Sequence, residues 1–78
     1  MGKRKLLQVA LDHLDKGDWE AAHKIVQSDE SLTACWVHGI VHVMEGDLDN
    51  ARYWYKRSER AFSDDTAKEI TAVKKSFL

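Results

Sequence analysis

Apolar positions recur along this chain in a helical rhythm. Leu7, Ala10, Leu11 and Leu14 follow the i, i+3, i+4, i+7 spacing that gathers side chains on one helix face, which predicts a first helix from about Lys3 to Lys16. Gly17 ends it, because glycine accepts the left-handed backbone common just past a helix terminus, and Asp18 is placed to cap the next helix. That second helix, Trp19 to Gln27, turns Ala22, Ile25 and Val26 inward. Ser28-Asp29-Glu30-Ser31 is a polar break with several N-cap candidates. A third helix follows, ending near Glu45, with Leu32, Cys35, Trp36, Gly39, Ile40 and Val43 on one stripe. Gly46-Asp47 repeats the earlier punctuation and opens a fourth helix, Leu48 to Phe62, whose inner side is Ala51, Trp54, Tyr55, Ser58, Ala61 and Phe62. After Ser63-Asp64-Asp65, a fifth helix runs toward residue 78 with Ile70, Val73 and Phe77 as its apolar face. Lys74 and Lys75 suit its C-terminal end, where the helix dipole favours cations. With no proline and no sustained alternation of β-branched residues, the predicted class is all-α.

The pattern also repeats. A displacement of 29 positions carries Ala10 onto Gly39, His13 onto His42, Gly17-Asp18 onto Gly46-Asp47 and Ala22 onto Ala51. The same displacement carries Leu7, Leu11 and Leu14 onto Trp36, Ile40 and Val43, so one helix pair is used twice. The order is a small residue, a ring three positions later, Gly-Asp four after that, and alanine five after the glycine. It resembles the tetratricopeptide repeat and its Sel1-like relatives, most closely over Gly46-Asp47-Leu48-Asp49-Asn50-Ala51-Arg52-Tyr53-Trp54-Tyr55-Lys56-Arg57. Trp36 to Arg57 is also similar to a histidine-containing stretch found in a group of small uncharacterised proteins. The resemblance implies one domain spanning residues 1–78, with units at about 3–28 and 31–62 and a capping helix at about 64–78. The period is shorter than the roughly 34 residues usual for the repeat, and two units are fewer than usual. A closed bundle in place of an open superhelix is therefore the expected departure.

Composition narrows the function classes. A formal net charge of −1 gives no chain-wide attraction to nucleic acid or anionic lipid. The basic start Met1-Gly2-Lys3-Arg4-Lys5 is followed by no long apolar run, so neither a signal peptide nor a membrane span is expected. A single cysteine, Cys35, excludes an intrachain disulfide and fits a reducing, cytoplasmic setting.

Three constellations carry possible chemistry. His38, His42 and Glu45 lie at i, i+4 and i+7 on one side of the third helix, a spacing from which two imidazoles can share a metal. One helix seldom supplies a full ligand set, and His42 has a counterpart in His13, so packing or hydrogen bonding is the simpler reading and no metal or cofactor is expected. Cys35 precedes His38 by one turn, but no third group is in place to make a nucleophile of it, and no enzymatic activity is expected. On the fourth helix, Tyr53, Lys56, Arg57 and Arg60 point outward and Arg52 flanks the inner side. Such a face can hold phosphates and stack a base, but a solvated helix looks the same, and Glu59 dilutes it.

The large apolar row Leu7, Leu11, Leu14, Trp36, Ile40 and Val43 bears most on function. The resemblance implies that the first helices of successive units line a concave, peptide-binding surface, where this row would be open to a protein or peptide partner or to a second copy of the chain. Tyr53 and Arg57, with His38 and His42, would then be polar contacts. The competing account lays the fifth helix over the row through Ile70, Val73 and Phe77. A non-catalytic protein-interaction module is the reading that follows, with nucleic-acid binding through the fourth helix as its alternative.

Overall fold

In a computed structural model describing residues 2–78, the chain forms five helices: α1 (Lys3–Asp15), α2 (Trp19–Val26), α3 (Leu32–Glu45), α4 (Leu48–Arg57) and α5 (Thr66–Ser76). Met1, the first residue of the basic start, lies outside the described residues. The punctuation works as its chemistry requires. Gly17 and Gly46 have φ of +78° and +93°, and the amides of the aspartates that follow them reach back to the carbonyls of His13 and His42, each at 2.9 Å. The same aspartates then cap α2 and α4, Asp18 accepting from the Ala21 amide and Asp47 from the Asn50 amide. Ser31 and Asp65 cap α3 and α5 in the same way.

α3 is the axis of the molecule, packed against each of the other four helices. Nine consecutive residues, Ala34 through His42, are buried, as befits a helix with neighbours on every side. The stripe predicted for it is correct at Cys35, Trp36, Gly39 and Ile40, but Leu32 is exposed, because the helix has only begun to enter the core there. α1 turns the expected Leu7, Ala10, Leu11 and Leu14 inward. α5 crosses α1 and α3 through Ile70 and Val73, with Phe77 packed alongside. Among the described residues the backbone of α4 packs closely against α3 alone. α5 is tied at its far end by Lys74 to Asp15 and by Arg4 to the Phe77 carbonyl.

The repeated hairpins show how small residues set helix separation. Ala10 in the first corresponds to Gly39 in the second, and Val26 corresponds to Tyr55; all but Gly39 are core residues at 1% exposure or less. The larger partner requires the smaller one. A Cβ on Gly39 would sit 2.5 Å from Tyr55 Cδ2 and 3.4 Å from the Ala51 carbonyl oxygen. Tyr55 cannot give way easily, since its hydroxyl donates to Glu69 Oε1 at 2.8 Å. Gly39→Ala is therefore expected to destabilise by about 1–2 kcal/mol, overpacking outweighing the gain of about 1 kcal/mol in helix propensity. Urea unfolding measures this, and a stabilised variant would mean that α3 and α4 do not approach so closely.

α4 departs from expectation at its end. The predicted span reached Phe62, but the helix stops at Arg57. The Ser58 hydroxyl donates to the Tyr55 carbonyl at 2.6 Å, and Glu59 takes φ of +65°, the conformation glycine supplies at the other two stops. A non-glycine residue there costs about 1–2 kcal/mol, and nothing in the side-chain pattern announces it. Ala61 is consequently exposed and Phe62 only half-buried, its ring meeting Tyr55 edge-on at 5.4 Å. Arg60, read as part of the outer face of α4, instead lies beyond the helix with its guanidinium 3.5 Å from the centre of the Trp36 ring.

Candidate functional site

The apolar row does not form an open groove. Leu7, Leu11, Leu14, Trp36 and Ile40 are all buried, and Val43 is packed half-buried against the same core. α5 is the occupant. Its seat is fixed by one carboxylate: Glu69 Oε1 accepts from Trp36 Nε1 at 3.2 Å and from the Tyr55 hydroxyl at 2.8 Å, joining α3, α4 and α5. Burial, and then the Glu69 carboxylate, push the Tyr55 hydroxyl far above its usual range, so it remains a donor. The surface that a second copy of the chain would have used is thereby filled from within.

The other side of α3 carries a different assembly. Trp36 and His38, two residues apart, are separated by about 200° around the helix, so the row and the histidines face nearly opposite ways. The structure thus does not join Trp36, Ile40 and Val43 to Tyr53 and Arg57 in one surface. It joins His38 and His42 to His23 of α2 and Trp54 of α4. The three imidazole centroids are 4.8, 4.9 and 5.3 Å apart. The Trp54 indole lies flat on His38, 3.8 Å between centroids and 10° between planes. Beyond Trp54, the Arg57 guanidinium stands 4.8 Å from its ring and 5.8 Å from that of Tyr53, and it also donates to the Tyr53 hydroxyl at 3.5 Å. A continuous aromatic band therefore runs from α2 over α3 to the outer face of α4.

Electrostatics in the band follow from burial. His38 is 3% exposed and is held down from 6.5 to about 3, first by desolvation and then by His42, His23 and Arg57, so it is neutral at physiological pH. Its Nδ1 has no hydrogen-bond partner in the described structure. An unmet buried group of this kind costs about 1–3 kcal/mol. His42, also buried, shares a hydrogen bond of 2.8 Å between its Nδ1 and Glu45 Oε1, which leaves Nε2 as its free nitrogen. One nitrogen from each of His23, His38 and His42 can be chosen so that all lie within 4.8 Å of one another. Cys35 belongs to none of this. Its buried thiol faces the Glu30 carbonyl at 3.9 Å, and burial raises it above the ordinary thiol range, against the lowering effect of Arg57.

His23 is the residue that sequence reasoning missed. The cluster is a contact between units, formed where the second helix of one meets the first helix of the next. The internal repeat therefore hides it: the counterpart of His38 is Val9, 36% exposed on α1 because no earlier helix covers it, and the counterpart of His23 is Arg52. Only His42 has a matching histidine, and His13 is half-exposed beside Asp18 at 3.9 Å. The available signal was that His23 follows Trp19 by one turn on a helix whose core face is already supplied by Ala22 and Val26. No model of a protein family, no curated protein and no solved structure matches this chain.

Proposed function

We propose that the chain is a non-catalytic, tetratricopeptide-like binding module that meets a protein partner on the outer face of α4, with Tyr53 and Arg57 as the principal contacts. The observation that carries this reading is an unpartnered helix face bearing a 54% exposed tyrosine stacked with an arginine. α5 turns back over α1 and α3, so the far side of α4 is left without a helical neighbour, and that is the side where a further repeat would have stacked. Arg52, Lys56 and Arg57 outnumber the acids beside them, Asp49 at 3.7 Å from Arg52 and Glu30 at 3.5 Å from Arg57, which favours an acidic segment of the partner. Tyrosine and arginine bring large contact areas and dominate many binding surfaces. The exposed leucines Leu6, Leu32, Leu48 and Leu78 lie on four separate segments, and single exposed leucines are common on protein surfaces. No helix among the described residues is long and apolar enough to cross a membrane.

A second reading has one observation in its favour. Guanidinium groups beside exposed aromatic faces also receive unpaired bases and their phosphates. The test separates the two. Partners are captured with the wild-type chain and with Tyr53→Ala/Arg57→Ala, whose side chains lie outside the core and whose helicity is checked by circular dichroism. Captured protein is expected to fall by about tenfold or more, the loss of two good contacts. Equal capture by both chains would sink the reading. Capture that collapses with rising salt and with nuclease treatment would instead move the function to nucleic acid.

A further inference from the structure

We propose that His23, His38 and His42 form a binding site for a single divalent transition cation of the Zn2+ class, with water completing its coordination. The inference is independent of the reading of α4, since none of its ligands is a residue proposed to meet the partner. Three imidazoles without a carboxylate among them suit Zn2+, Co2+, Ni2+ and Cu2+, and disfavour Mg2+ and Ca2+, which require oxygen donors.

The geometry is close to what such an ion requires. The three nitrogens already lie within 4.8 Å of one another. Tetrahedral coordination at Zn–N distances of 2.0–2.1 Å sets them about 3.3 Å apart. His38 and His42 project from successive turns of α3: the Trp54 indole fixes the plane of His38, and Glu45 fixes the orientation of His42. A carboxylate on the second nitrogen of a ligand histidine orients the ring and raises its basicity, which is the arrangement Glu45 makes with His42 Nδ1. His23, half-buried at the edge of the cluster, meets both other rings edge-on and is the ligand that would turn to close the set. The unmet Nδ1 of His38 points to the same conclusion, because a buried imidazole with an unsatisfied nitrogen is a group waiting for an acceptor, a donor or an ion. Arg57 is the cation nearest to oppose an ion here, and it is itself paired with Glu30 at 3.5 Å. His42, Glu45 and Asp47 also gather, but Glu45 is engaged with His42 and Asp47 caps α4, so that group has little left to offer an ion.

The test uses the full chain without a histidine tag, stripped with a chelator and dialysed against micromolar Zn2+. Bound zinc is measured per chain, Co2+ is titrated as a visible-spectrum probe of nitrogen coordination, and thermal unfolding is followed with and without zinc. One equivalent of zinc, a tetrahedral Co2+ spectrum and a raised melting temperature are expected, because an ion that binds only the folded chain stabilises it. His23→Ala leaves the core of α3 intact and should weaken binding by roughly tenfold or more; Glu45→Gln should weaken it by about tenfold. His13→Ala, outside the cluster, should bind as the wild type does. No retained zinc would overturn the proposal, as would equal loss in His13→Ala and His23→Ala, which would place the ion elsewhere.

Discussion

Truncating Trp36 to alanine is expected to cost about 3–5 kcal/mol of folding stability. A chain of this length holds roughly 4–12 kcal/mol in total, so the variant should lose at least about a quarter of its stability. The ring is 3% exposed and sits at the junction of three helices. Removing it opens a cavity under α5, deprives Glu69 of one of its two buried donors, and leaves the Arg60 guanidinium without the face it stacks on. Trp36→Phe separates these effects: it keeps most of the apolar volume and should cost only about 1–2 kcal/mol, chiefly for the lost hydrogen bond. Urea unfolding followed by far-ultraviolet circular dichroism gives both values. A cost below about 1 kcal/mol for the alanine variant would be the cost of a surface truncation. It would mean that α5 does not lie on the row in solution, and that Leu7, Leu11, Leu14, Trp36, Ile40 and Val43 form an open groove after all.

That dependence on α5 shows where sequence and structure part. A helix packed on one side writes its burial into its periodicity, and α1 was legible to the residue: Leu7, Ala10, Leu11 and Leu14. The glycine-aspartate stops were legible for a similar reason, since each residue does one local job, a positive φ followed by an N-cap. α3 was legible only in part. A helix with neighbours all round has no polar face to set the phase, and the stripe drawn through Trp36 and Ile40 left the equally buried Val37 and Val41 unaccounted for. The end of α4 was hidden because Glu59 adopts a left-handed backbone without the glycine that would have advertised it. The histidine cluster was half visible. The i, i+4 spacing of His38 and His42 follows from one helix, but His23 and Trp54 arrive from two others, and their arrival depends on how the hairpins stack.

Stability should depend on pH through His38, rising between about pH 3 and pH 6.5. In the folded chain this imidazole is neutral down to about 3; in the unfolded chain it takes up its proton near the ordinary 6.5. Between those limits the unfolded state binds one more proton than the folded state, so acid favours unfolding and stability is full only above 6.5. The slope is about 1.4 kcal/mol per pH unit. Integrated over the window, this amounts to several kcal/mol, a sizeable share of the stability of a small domain. Acid unfolding of the whole chain sums every group that titrates differently in the two states. The decisive quantity is hence the difference between wild type and His38→Gln, which cannot take up a proton. Urea midpoints are measured from pH 4 to 8 in the presence of a chelator, so that no bound ion contributes. The two curves should converge as pH falls, the variant losing less stability per unit. Parallel curves would show that His38 is protonated in the fold or reached by water. Either would undo its burial beneath Trp54.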